Sequence, residues 1–251
     1  MRFAKLHGYG NDYIVIEAEQ LAGVGSVSEF VQRICHRHCG AGADGVALVE
    51  KQGGGVGDFG VRIFNPDGSE AAMSGNGTRC AAAYLYYQEL WSGEELRLCT
   101  RAGVKLYRLR EQLGKGSYLF EAEIGKPLFE STAIPMSLDE SQPEVRNYPL
   151  AVGGGETVSV TALQMCNPNC CVFVDDFERV DWRRLGRIIE SHPQFPERTN
   201  VEFVRVRDRE RVEVRVWERG VGETLSSGTG ACASAVASAF NNLTDRRVRV
   251  E

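Results

Sequence analysis

No apolar run in this chain approaches the roughly 20 residues that a membrane-spanning helix requires, so no helical span is expected. The first residues, Met1-Arg2-Phe3-Ala4-Lys5-Leu6-His7-Gly8, lack the apolar segment and small-residue cleavage site of a secretory signal. Basic residues are not in excess. With 29 Lys and Arg against 34 Asp and Glu, the net charge is −5, which argues against nucleic acid or an anionic membrane as the main partner. A second Cys/His cluster at zinc-ligand spacing is also missing. The run Cys35-His36-Arg37-His38-Cys39 stands alone at the end of an amphipathic segment, so no metal is expected. The eight cysteines are even in number, but the chain is too long for a small disulfide scaffold. Without an export signal they are expected as reduced thiols in the cytoplasm. What remains is ordinary globular composition, 43% hydrophobic and 25% charged, enough for a real core.

The most informative feature is an internal repeat. The stretch from Arg62 to Gly77 recurs from Arg215 to Gly230 at a constant offset of 153 residues, pairing Arg62 with Arg215, Phe64 with Trp217, Glu70 with Glu223 and Ser74 with Ser227. Each copy ends in a Ser-Gly-x-Gly turn, followed by a helix of small residues. A repeat of this size implies two similar halves whose matched residues face one cleft, and two equivalent groups on opposite sides of a substrate suit inversion of a stereocentre. The fold class expected is α+β, with two pseudo-symmetric domains, each a curved, mostly antiparallel sheet or barrel around a central helix. Gly114-Lys115-Gly116 is the preferred hinge, giving domains 1–115 and 116–251.

Strands are predicted over 3–6, 13–17, 46–50, 59–64, 95–99, 104–110 and 118–124 in the first half. The second half repeats them over 157–163, 171–174, 201–206, 212–217 and 247–250. Ser28 is the expected cap of a helix carrying Phe30, Val31 and Ile34, and the glycines of 53–57 read as a flexible loop. A further helix is expected over 181–191. The helices after Ser74 and Ser227 are apolar on most faces and are therefore buried. Cys80 and Cys232 on them read as small core side chains. Of the adjacent Cys170 and Cys171, one is expected to pack inward and the other to face out.

A glycine-rich turn opening a helix offers free backbone N–H groups and the positive end of the helix dipole. Gly75-Asn76-Gly77 and Gly228-Thr229-Gly230 provide this twice, and the natural anion for a small substrate is a carboxylate. Asn11, Asn65, Asn167 and Asn200 sit at strand ends, where an amide could fix a carboxylate or ammonium; each alone is also an ordinary turn residue. Glu218-Arg219 replaces Asn65-Pro66 of the first copy, so the halves differ where an asymmetric substrate would be read.

Taken together, these segments resemble the diaminopimelate epimerases. The similarity rests on His7-Gly-Tyr-Gly-Asn-Asp12, Gly42-Ala-Asp-Gly45, Phe64-Asn-Pro-Asp-Gly-Ser-Glu70, Gly75-Asn-Gly-Thr-Arg-Cys80, Asn167-Pro168, Phe195-Pro-Glu-Arg-Thr-Asn200 and Glu218-Arg-Gly-Val-Gly-Glu-Thr224, then Gly228-Thr-Gly-Ala-Cys232. The resemblance implies interconversion of LL- and meso-diaminopimelate, on the route to lysine and peptidoglycan, without pyridoxal phosphate or any other cofactor. It also implies that Asn11, Asn65, Asn167, Asn200, Glu218 and Arg219 bind the substrate. The N–H groups of Gly75, Asn76, Gly228 and Thr229 would cradle the carboxylate at the reacting carbon. The family moves the α-proton with two cysteines, one as thiolate and one as thiol. The partner implied is a small amino acid, with no nucleic acid and no membrane, and a homodimer is left open.

The chain departs from the family at those two positions, which are Ser74 and Ser227, and at the histidine after Asn-Pro, which is Asn169. A thiol titrates near ~8.5 and lower at a helix N-terminus, whereas a serine hydroxyl needs an adjacent base. Asparagine carries no proton, which leaves Glu218 as the family's remaining acid–base helper. Cys166 stands where the family has glycine, and Gly45 where some members have glutamine. The family's Pro-Gly-Gly hairpin beyond Val250 is also absent here, so either the chain is trimmed or the first domain lacks one strand. Three readings follow: an epimerase impaired by its serines (whether those are natural or engineered), a non-catalytic amino-acid-binding homologue, and an epimerase or racemase for another amino acid.

Overall fold

The computed structural model describes residues 1–53 and 55–251. The loop expected over 53–57 includes Gly54, which lies outside them. The chain divides into two compact units, Met1–Ile124 and Gly125–Glu251. The division falls beyond the expected 115/116 because Gly114 and Ser117 close the turn of a hairpin, so the two glycines there reverse a strand within the first unit.

The first unit contains β1 (Ala4–Gly8), β2 (Asn11–Glu17), α1 (Val27–Cys35), β3 (Gly45–Lys51), β4 (Phe59–Phe64), β5 (Glu70–Ala71), α2 (Gly75–Tyr87), β6 (Glu95–Thr100), β7 (Gly103–Gly114) and β8 (Ser117–Glu123). Its sheet runs β1-β2-β3-β4-β6-β7-β8, with β5 also paired to β4. The pairs β2/β3 and β4/β6 are parallel. Ser26, rather than Ser28, caps α1, accepting from the Glu29 N–H at 3.3 Å.

Strands β2 and β3 are covered on both faces. Tyr13, Val15, Ala47 and Val49 pack with α2 through Cys80, Ala81 and Leu85, and Ile14, Ile16, Val46 and Leu48 pack with α1 through Val31 and Cys35. Burial on both sides explains why these strands read as unbroken apolar runs rather than alternating ones.

The second unit contains β9 (Val145–Gly153), β10 (Glu156–Gln164), β11 (Pro168–Phe173), α3 (Trp182–Glu190), β12 (Asn200–Asp208), β13 (Arg211–Glu218), β14 (Gly222–Thr224), α4 (Gly228–Phe240) and β15 (Arg249–Val250). Its sheet order is β14-β13-β12-β11-β10-β9, with β15 paired to β13. The repeat is visible in the pairing. β11/β12 is parallel like β2/β3, β12/β13 antiparallel like β3/β4, β13/β14 like β4/β5, and β13/β15 parallel like β4/β6.

Cys170 and Cys171 are both fully buried, so neither faces out as the sequence suggested. The sheet has no solvent face there. Cys170 joins the core formed with α3 through Leu185 and Ile189, and Cys171 lies on the other side, its Sγ 3.9 Å from Glu202 Oε2.

Candidate functional site

Each repeat copy turns from a two- or three-residue strand into a helix at a serine. Ser74 caps α2 in an extended conformation, and its Oγ accepts from the Gly77 N–H at 3.1 Å. Ser227 caps α4 with the same backbone, its Oγ accepting from the Gly230 N–H at 3.1 Å. The Gly75, Asn76, Gly228 and Thr229 N–H groups therefore lie in first turns, where a helix supplies no acceptor of its own. Each start has the geometry of an anion cradle.

The surroundings of the two serines differ. In the first unit, Tyr13 of β2 donates its hydroxyl to Ser74 Oγ at 2.9 Å. Two glycines leave room for its ring. A Cβ at Gly77 would sit 2.9 Å from Tyr13 Cε1, and one at Gly45 would sit 2.5 Å from the same atom and 2.6 Å from the Phe64 carbonyl oxygen. A side chain at position 45 would thus have to displace the Tyr13 ring and the Phe64 backbone. Thr78, on the next turn, shares a 2.6 Å hydrogen bond with the Tyr107 hydroxyl. Asn76 donates to Asn11 Oδ1 at 3.0 Å and accepts from Arg79 at 2.6 Å, and Asn11 donates to Asp44 Oδ2 at 2.9 Å. Burial pushes the Asp12 carboxyl up, but Arg37, Lys5 and Asp44 bind it and hold it well below the usual carboxylate range. Asn65 lies further along, at a turn, with its amide on Ser69 Oγ at 3.0 Å.

In the second unit the buried neighbour is a carboxylic acid. Glu202 of β12 is fully buried and its Oε1 has no hydrogen-bond partner. A Cβ at Gly230 would lie 2.8 Å from that oxygen and 3.1 Å from Ser227 Oγ, so a larger residue there would have to push the Glu202 carboxyl aside. Burial and then the charge of Glu218 push the Glu202 carboxyl well above the ordinary range, which keeps it protonated near neutrality.

Asn169, at the position where the family resemblance implies histidine, is completely buried. Its amide donates to the Asn167 carbonyl at 2.6 Å and to Asn167 Oδ1 at 3.1 Å, and its Oδ1 accepts from Asn200 at 3.4 Å. Asn200 Oδ1 in turn accepts from the Arg219 N–H at 2.9 Å. Three of the expected binding positions, Asn167, Asn200 and Arg219, are therefore joined through Asn169 into one amide chain that carries no titratable group. The turn after Glu218 is held by Glu190 of α3, which accepts from Gly220 N–H at 2.8 Å and Trp217 Nε1 at 2.9 Å.

Some repeat matches are structural. Arg62 pairs with Glu70 at 2.8 Å, whereas Glu223 pairs with Arg183 of α3 at 2.7 Å and Arg215 lies 4.8 Å over the Phe177 ring. The buried cysteines do not replace the missing thiols. Burial pushes Cys80 up to about 12 and Cys35 up to about 11, and raises Cys170 and Cys171 well above the normal thiol range. Cys166 adopts a left-handed backbone with φ of 65°, a conformation that suits the glycine the family resemblance implies there. His36 turns its Nδ1 toward the backbone N–H groups of His38 and Cys39, at 3.2 and 3.1 Å.

Tyr13, Glu190 and Glu202 were not singled out from the sequence. A buried Glu between Val201 and Phe203 was the one visible signal. The Tyr13 contact depends on how α2 settles against β2 and has no local signature.

A family model described as diaminopimelate epimerase matches residues 3–127 and 161–251. Over its full length the chain is 42% identical to a diaminopimelate epimerase of Pelotomaculum thermopropionicum and 44% identical to one of Caldanaerobacter subterraneus, covering 88% of each. Among solved structures, a hydroxyproline epimerase from Agrobacterium vitis superposes with a TM-score of 0.67 at 15% identity, over 97% of this chain and 78% of that one. A PhzF-family phenazine biosynthesis protein of Bacillus anthracis gives 0.61 at 17%, over 94% and 78%. At these identities the structures establish the fold, two pseudo-symmetric α+β halves. Among the described residues no helix is long and apolar enough to cross a membrane.

Proposed function

The chain belongs to the diaminopimelate epimerase family, and on that premise we propose that it interconverts LL- and meso-diaminopimelate, with turnover held down by serine at both proton-transfer positions. The observation that carries this reading is the matched pair of serine-capped helix starts, one per unit, each with its Oγ 3.1 Å from a glycine N–H. Removing an α-proton leaves charge that delocalises into the carboxylate. Helix N-termini aimed at that carboxylate stabilise the charge without any cofactor, and this contribution survives the loss of thiols. Inversion also needs one group to take the proton and another to return one from the opposite face, roles we assign to Ser74 and Ser227. Asn11, Asn65, Asn167, Asn200, Glu218 and Arg219 are assigned to substrate binding, and Asn169 to holding that amide chain in register. The reading places the protein in the cytoplasm, acting on a free amino acid.

The test is gain of function. Ser74→Cys with Ser227→Cys is expected to raise epimerase turnover by about 10²-fold or more, the range typical of a well-matched acid–base pair, with calorimetric affinity for diaminopimelate little changed. Unchanged turnover with tight binding would favour the second reading, an amino-acid-binding protein without chemistry. The buried, proton-free Asn169 speaks for that alternative.

A further inference from the structure

Serine is a poor proton carrier alone, so whatever turnover the parent chain has must use a group beyond its two serines. Ser74 Oγ accepts two hydrogen bonds, from Tyr13 O–H at 2.9 Å and Gly77 N–H at 3.1 Å. With both lone pairs engaged, its own hydroxyl hydrogen is left to point elsewhere. Ser74 is half-buried whereas Tyr13 is 6% exposed, so the serine is the accessible end of the pair and the phenol the enclosed end. Gly45 and Gly77 give the Tyr13 ring its place.

We propose that Tyr13 and Ser74 form a proton relay that takes the part of the family's first cysteine, with Tyr13 acting through Ser74 rather than touching the substrate. This rests on the epimerase reading. In the donating direction, the Ser74 O–H bond breaks as the α-carbon–hydrogen bond forms. The electron pair left on Oγ takes the Tyr13 hydroxyl proton, and a phenolate remains. In the removing direction, the Tyr13 phenolate takes the Ser74 proton while Ser74 Oγ takes the α-proton. Each direction moves two protons and leaves one negative charge, and neither calls on an outside reactant. A phenol has an ordinary value near ~10, closer to the working range than any serine.

Several groups packed around Tyr13 are neutral or held by partners of their own. Cys80 on α2 is held neutral by burial, its thiol pushed up to about 12. Asp12, next along β2, is bound by Arg37 and Lys5. Tyr107 of β7 is engaged with Thr78. His7 of β1 accepts from the Gly10 N–H. β3 and β4 present Gly45 and Ile63, which carry no charge. Among the described residues no tyrosine hydroxyl is hydrogen-bonded to Ser227, and its buried neighbour across Gly230 is Glu202.

The experiment uses Tyr13→Phe, which keeps the ring and removes only the hydroxyl, in two backgrounds. In the parent, α-proton exchange in D₂O is expected to rise with pH, because the relay removes the α-proton only with Tyr13 as phenolate. Tyr13→Phe is expected to abolish that rise and slow exchange by about 10²-fold. In the Ser74→Cys, Ser227→Cys protein, the same change is expected to cost far less, because a thiol needs no relay. An equal loss in both backgrounds, or none in the parent, would overturn the relay. Absence of exchange from the two-cysteine protein would overturn the epimerase reading, and the relay with it. A readout independent of turnover is alkylation of the thiol introduced by Ser74→Cys, followed by peptide mass spectrometry. Tyr13→Phe should shift its pH profile upward, since a donor to the sulfur is lost. An unmoved profile would overturn the proposed contact.

Discussion

Substituting Glu202 with glutamine should make the protein more stable at neutral pH, and increasingly so as pH rises. Glu202 is fully buried with one oxygen unpartnered, and its carboxyl is pushed well above the ordinary value of 4.5 by burial and then by Glu218. The native state therefore keeps a proton that the unfolded chain gives up. Between the unfolded value and the raised folded one, the unfolded state binds one proton fewer, so unfolding free energy falls by about 1.4 kcal/mol per pH unit from this group alone. Its favourable contribution is complete below pH 4.5 and is lost as pH climbs through the folded value. Glutamine has nearly the same shape as the protonated acid and does not titrate. The stability difference between Glu202→Gln and parent should then widen by about 1.4 kcal/mol per unit above pH ~5, for as long as the folded value exceeds the solution pH. Urea titrations of both proteins at pH 5, 6 and 7 measure that difference, and other titrating groups cancel in it. A difference independent of pH would show that Glu202 is ionised in the fold and would refute the reasoning.

Other predictions concern single contacts. Gly45→Gln should destabilise by about 1–3 kcal/mol, as overpacking against the Tyr13 ring and the Phe64 carbonyl demands, read as a lowered melting temperature. Cys166→Gly should stabilise by about 1 kcal/mol, because φ of 65° strains any residue with a Cβ; calorimetric melting would show it. Glu190→Ala leaves the Trp217 and Gly220 N–H groups without their acceptor. It should cost about 1–3 kcal/mol per orphaned donor and weaken diaminopimelate binding through the turn that carries Glu218 and Arg219.

The repeat was legible because its residues recur in register, and α2 and α4 begin at Gly75 and Gly228, the same offset that separates Ser74 from Ser227. The strands around them were legible as apolar runs. Other features were not local. The Ser26 cap was missed in favour of Ser28 because both are serines before the same apolar face, and only the backbone conformation decides between them. The 114–116 glycines looked like a hinge because a hairpin turn and a linker have the same composition. One of Cys170 and Cys171 was expected to face out because alternation along a strand says nothing about whether a second layer, here α4 beside Cys171, covers the other face. At the candidate site, the two glycine-rich helix starts could be read from the sequence. Their partners could not, because Tyr13 and Ser74 are far apart in the chain and meet only through packing.

The most direct test of the central claim is the α-proton signal of LL-diaminopimelate in D₂O, followed by proton NMR with the parent chain and with the Ser74→Ala, Ser227→Ala pair. The account predicts slow loss of the signal above the buffer rate with the parent, increasing with pH, and none with the alanine pair. Equal loss from both proteins would contradict it by showing that the proton moves through groups other than the two helix-capping serines.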